Sequence, residues 1–96
     1  MIAADRIARA AGAELRRLRL AAGLSQTQVA IACDSYRPII SRIERGAHAP
    51  TLETCALFAR ACGGSLLDVL GAVDRALGLT VQRAHARAAQ GATALN

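Results

Sequence analysis

Two short amphipathic stretches separated by a polar break, Ser25 to Gly46 (SQTQVAIACDSYRPIISRIERG), constrain this chain more than any other feature. Ser25 is a strong N-cap, and Gln28 three residues later completes a capping box. Val29, Ala30 and Cys33 then recur at helical spacing. Asp34-Ser35 interrupts the pattern, because both side chains compete for backbone hydrogen bonds and favour turns. A second helix is expected from about Arg37 to Arg45, with Pro38 tolerated in its first turn and Gly46 as its stop. Ile40 and Ile43 face one way on it, while Arg37, Ser41, Arg42 and Arg45 face the other. A short helix, a tight turn and a helix with one apolar and one basic face form a helix-turn-helix pattern. Its chemistry points to DNA, since arginine donates bidentately to guanine O6 and N7 in the major groove.

Composition agrees with a single small domain. Ninety-six residues build one core, and an apolar content of 53% excludes a disordered tail. Tyr36 and Phe58 are the only aromatic residues, so Leu, Ile, Val and Ala must fill the interior. Abundant Ala, Leu and Arg with few β-branched runs predict an all-α fold. The net charge is +5, and all 12 basic residues are arginine. Eight of these lie at or before Arg45, which gives that half +4 against +1 for the remainder. Such a basic half fits a polyanion, either nucleic acid or an acidic membrane surface, although an arginine-rich genome alone gives the same composition. Asp5 and Arg6 interrupt any apolar leader, and no run approaches the roughly 18 apolar residues of a membrane span. A cytoplasmic protein with no membrane partner is expected.

Around the central motif, a first helix carries Ile7, Ala11, Leu15, Leu18 and Ala22 as its apolar stripe. Gly12 weakens its middle, so residues 1–12 are either an arm or an extension of the helix. Thr51 caps a fourth helix with Leu52, Cys55, Phe58, Ala59 and Cys62 on one face. Ser65 caps a fifth, striped by Leu66, Val69, Leu70, Val73 and Leu77. Leu66, Val69 and Leu70 are placed to finish the core of one chain. A stripe that continues to Val73 and Leu77 suggests a second surface to cover, with a partner subunit as the natural occupant. Leu79-Thr80-Val81-Gln82 alternates like a short strand, which either pairs across a dimer or does not form. Leu79 and Val81 therefore join the stripe as candidate dimer contacts. The expected organisation is an arm or extension over 1–12, a DNA-binding domain over 13–78, and a dimerisation strand with a flexible tail over 79–96.

Gly23-Leu24-Ser25-Gln26, Val29-Ala30, Ile40 to Gly46, Pro50 and Leu52 resemble the Cro/repressor-type (xenobiotic-response-element type) helix-turn-helix family. The resemblance covers about Leu15 to Leu70. It implies a five-helix, lambda-repressor-like domain acting as a dimeric transcriptional repressor on an inverted-repeat operator. It further implies that Gln26 holds a phosphate and braces the reading helix, and that Arg19 and Glu44 form a buried ion pair. Tyr36, Arg37, Pro38, Ser41, Arg42 and Arg45 are the remaining candidate DNA contacts, with Arg37 and Arg42 as base readers and Arg45 on the backbone. Two departures stand out. Asp34 replaces the usual turn glycine and brings negative charge near the DNA, and Pro38 occupies a position that often carries a base-reading side chain.

Stand-alone domains of this size also resemble antitoxins, which bind a toxin and repress their own operon, and restriction-modification controller proteins. In the antitoxin reading a toxin contacts residues 65–96. No catalytic constellation, phosphate loop or metal-ligand spacing is present, so neither enzymatic activity, cofactor nor metal is expected. Cys55 and Cys62 lie seven apart on one helix face, about 10 Å along the axis, too far for an unstrained disulfide. Both read as small core hydrophobes, with a redox sensor as the alternative.

Overall fold

Five helices, all joined by short connections, make up the computed structural model, which describes the backbone of residues 3–95 and the side chains of residues 5–78 and 86–89. They are α1 (Ala3–Ala22), α2 (Gln26–Ala32), α3 (Arg37–Glu44), α4 (Leu52–Ala61) and α5 (Leu66–Leu95). Among the described residues there is no strand. Residues 3–12 are the first half of α1, which runs through Gly12 without a break.

The helix starts follow local chemistry. Ser25 Oγ accepts from the Gln28 N–H at 3.1 Å, and the Ser25 N–H donates to Gln28 Oε1 at 2.7 Å, a reciprocal cap at the head of α2. Thr51 Oγ1 accepts from the Thr54 N–H at 3.0 Å at the head of α4. At α5 the Ser65 N–H donates to Asp68 Oδ2 at 2.8 Å. Gly23, Gly46 and Gly63 end their helices with positive φ.

One core unites the helices. Phe58, Leu15, Ile40, Ile43, Val29 and Val69 are its largest fully buried side chains, contributed by all five elements. Leu24, Ile39, Cys62, Leu66 and Val73 close around it. Helix α1 lies across α3, α4 and α5 and so acts as the central beam. Burial pushes the thiols of Cys33, Cys55 and Cys62 above their ordinary range. Uncharged at neutral pH, they behave as small apolar side chains.

The C-terminal segment departs from the strand that its sequence pattern suggests. Leu79, Thr80, Val81 and Gln82, whose alternation reads as a strand, are helical, and α5 continues through them to Leu95. A four-residue alternation is short enough to fit either period. A helix already propagating from Leu66 gains one hydrogen bond for each residue it adds, whereas a lone strand gains none. Residues 83–96 hold no core pattern in the sequence and read as either a frayed helix or a disordered tail. They are helical up to Leu95, and Asn96 lies outside the described residues. Val69 also leaves the candidate dimer surface. At 1% exposure inside the chain's own core, it has no area left to bury against a partner. The side chains of Leu79 and Val81 lie outside the described residues.

Candidate nucleic-acid interface

Helix α3 sits on the core through Ile40 and Ile43, and this packing decides which residues it presents outward. Arg37, Pro38, Arg42 and Arg45 are exposed, and Ser41 is half-buried beside them. Pro38 lies in the first turn, where its missing N–H leaves no intrahelical bond unmade. Tyr36 is the N-cap residue, with extended backbone and 76% of its surface exposed. Its ring projects at the leading end of α3. The Arg45 side chain folds back, its Nε donating to the Ser41 carbonyl at 3.3 Å.

The angle between α2 and α3 is set at the turn. Ser35 N–H donates to the Ala30 carbonyl at 2.8 Å, and Asp34 N–H to the Ile31 carbonyl at 3.2 Å. This closure requires a left-handed residue, and Asp34 takes it at φ 51°. Asp is one of the few non-glycine residues that visit this region without severe cost.

Beneath the exposed face runs a chain of polar contacts linking three helices. Arg19 Nε donates to Glu44 Oε2 at 2.5 Å and its Nη2 to Glu44 Oε1 at 2.9 Å, with both residues buried. Arg19 Nη1 also donates to the Leu24 carbonyl at 2.9 Å, which ties down the loop before α2. Gln26 Nε2 donates to Glu44 Oε1 at 3.1 Å, and Gln26 Oε1 accepts from Arg37 Nη1 at 3.2 Å. Arg19, Glu44, Gln26 and Arg37 therefore form one continuous network from the core to the surface.

Its electrostatics are coherent. Burial by itself raises the Glu44 carboxyl, but hydrogen bonds from Arg19 and Gln26, with the charges of Arg19 and Arg16, outweigh it and hold the group below the usual carboxylate range. The Arg19 guanidinium is raised, chiefly by its hydrogen bond to Glu44. Among the described residues no buried side-chain polar atom lacks a partner.

Two relationships emerge only from the packing, one of them giving the partner through which Gln26 braces α3. Arg37 is held by Gln26, so an expected base reader and an expected phosphate contact form one unit. On α1, the residues Arg9, Gly12, Arg16 and Arg19 follow a three-four-three spacing along one face, and that face meets the end of α3. A Cβ added to Gly12 meets the Ile43 carbonyl oxygen at 2.0 Å, and one added to Gly46 meets Arg9 Cγ at 2.7 Å. The spacing was present in the sequence as the signal.

A half-open helix pair with an arginine-bearing second helix, braced from the core, defines a helix-turn-helix DNA-binding protein. A family model described as a helix-turn-helix domain matches residues 10–77, and the chain belongs to that family. A crystal structure of the clp gene regulator ClgR from Corynebacterium glutamicum is similar at a TM-score of 0.69 and 29% identity, covering 90% of this chain and 93% of that one. A second ClgR structure from C. glutamicum is similar at a TM-score of 0.67 and 30% identity, covering 74% and 92% of the two chains. No curated protein matches the sequence at a comparable level. Family and fold together make this a DNA-binding transcriptional regulator. No single described helix is long and apolar enough to cross a membrane.

Proposed function

We propose that this protein is a Cro/repressor-type regulator that binds an inverted-repeat operator as a homodimer and represses by occluding RNA polymerase in the cytoplasm. Helix α3 enters the major groove with Arg37 and Arg42 as base readers. Ser41 and Tyr36 border the same groove, and Gln26 holds a phosphate at the start of α2. The observation that carries this reading is the Arg19–Glu44–Gln26–Arg37 network. It presents Arg37 in a fixed direction before DNA arrives, which lowers the ordering cost of a specific contact.

Helix α5 supplies the dimer contact. Thirty residues at 1.5 Å each make it about 45 Å long, in a molecule whose two shorter dimensions are 24 and 19 Å. Leu70 is 43% exposed along it, with Val73 and Leu77 half-buried nearby. An apolar groove of about 130 Å³ lined by Ile7, Pro50, Leu52, Leu70 and Val73 continues that surface towards α1 and α4. The contact is helix on helix, with two α3 helices set one DNA turn apart, about 34 Å.

Selection of bound sequences from a randomised duplex pool tests the proposal. Enrichment of a pseudo-palindrome is the expected outcome, and Arg42→Ala should lose about 1–3 kcal/mol on the selected site and relax base choice at one position per half-site. An unenriched pool would overturn it.

A further inference from the structure

Arg9 and Arg16 of α1 occupy a place that the helix-turn-helix reading does not use. Arg37 and Glu44 are seven residues apart on α3, two turns, and so lie along one edge of that helix. Gln26 bonds both of them, which marks the same edge from the α2 side. Helix α1 meets this edge at its far end. Gly12 lies directly against the Ile43 and Glu44 carbonyls, and the backbone and stem of Arg9 lie against Gly46. Arg16 is one turn beyond Gly12 on the same face and one turn before Arg19, whose guanidinium forks Glu44. Arg9 and Arg16 are both exposed and stand one turn to either side of Gly12 along α1. The Arg16 charge acts on the Glu44 carboxylate, which agrees with this placement.

Arg17 provides the contrast within the same helix. It is also exposed, but it points to another face, where its Nε and Nη2 bind Glu14 at 3.0 and 2.5 Å. Its charge is already matched. The α1 face carrying Arg9 and Arg16 has Asp5 one turn before Arg9 and meets Glu44, both of whose carboxylate oxygens Arg19 has already taken.

We propose that Arg9 and Arg16 of α1 form a phosphate-binding rail that holds one DNA strand alongside the edge of α3 defined by Arg37, Gln26 and Glu44. The rail carries no base information. It fixes the register of α3 in the groove, as phosphate contacts do generally, and it widens the protein's footprint beyond the two helices of the motif. Guanidinium suits the task because its planar fork matches phosphate oxygens bidentately. The inference rests on the DNA-binding reading above.

Salt dependence of binding to a mixed-sequence duplex of about 30 base pairs separates the two claims. Each phosphate neutralised adds about 0.9 to the slope of log affinity against log salt. A dimer carries each arginine twice, so Arg9→Gln and Arg16→Gln should each reduce that slope by roughly two, and the affinity lost between roughly 50 and 200 mM salt should shrink about tenfold per substitution. Arg17→Gln should leave the slope near that of the wild type. Melting temperatures of the three variants establish that all are folded. Equal slope changes in all three, or none in Arg9→Gln and Arg16→Gln, would overturn the rail while leaving the helix-turn-helix reading intact. A wild-type protein that binds no duplex at low salt would instead overturn the reading on which the rail depends.

Discussion

Gly12 and Ile43 touch backbone to backbone, so closely that a Cβ on Gly12 would lie 2.0 Å from the Ile43 carbonyl oxygen. The glycine that weakens α1 in isolation is what lets α1 cross the end of the reading helix. Alanine is favoured over glycine by about 1 kcal/mol in a helix interior, yet here it forces two helices apart. Gly12→Ala should therefore destabilise the protein by about 1–3 kcal/mol, the range for overpacking a tight contact. In a domain of this size that lowers the melting temperature by roughly 4–8 °C per kcal/mol. A variant as stable as the wild type in a thermal scan would contradict the contact.

Arg19 and Glu44 should behave as one structural unit. Removing either partner strands the other as a buried charge, at a cost of about 3–5 kcal/mol. The double variant Arg19→Met with Glu44→Leu should recover much of that loss, because no charge remains buried. A double-mutant cycle in chemical denaturation measures the coupling, and additive effects would refute it.

Acid should weaken the fold through the same pair. The folded Glu44 carboxyl is held below its unfolded value of about 4.3. Between those values the unfolded state binds more protons, so the stabilisation is complete above the unfolded value and is lost as pH falls through the folded one. Urea midpoints across roughly pH 3 to 7 should decline at the acid end in the wild type. Glu44→Gln should show a flatter profile from a lower starting stability, and parallel profiles would exclude Glu44 as a source of the acid sensitivity.

Asp34 offers a gain-of-stability test. Its φ of 51° lies where glycine is at ease and a β-carbon is not. Asp34→Gly should stabilise the domain by about 0.5–1 kcal/mol, less than the full strain because glycine also frees the unfolded chain. It also removes a negative charge beside the proposed DNA surface, so affinity should rise on all sequences alike. Calorimetry and a fluorescence titration with two unrelated duplexes read the two effects separately.

The proposed dimer contact is addressed by charge on α5. Leu70→Asp with Leu77→Asp alters the exposed and half-buried positions of the stripe and leaves Val69 in the core. Sedimentation should show a folded monomer that retains salt-sensitive DNA binding but loses the selected inverted repeat. A wild type that is already monomeric at about 10 µM, where a dimer with a free energy near −8 kcal/mol is well populated, would remove the contact.

Local chemistry in the sequence determined the five helices, the caps of α2 and α4 and the basic face of α3. Each follows from residues within a few positions of one another, as in Ser25 with Gln28 or Ile40 with Ile43. Helix α1, by contrast, starts at Ala3, ahead of the Asp5 that reads as its cap. The Arg19–Glu44 relationship was reachable only through a family resemblance, since nothing local joins residues 25 apart. Tertiary structure alone decided the rest. Gly12 reads as a weak point until Ile43 is seen against it, and Val69 reads as either dimer stripe or monomer core until the core closes over it. Leu79 to Gln82 looks like a strand over its own four residues, but a strand needs a partner and a helix needs only its own preceding turn. Periodicity reports which residues share a face. What that face meets depends on how the helices cross, and the crossing is fixed by contacts between segments far apart in the chain.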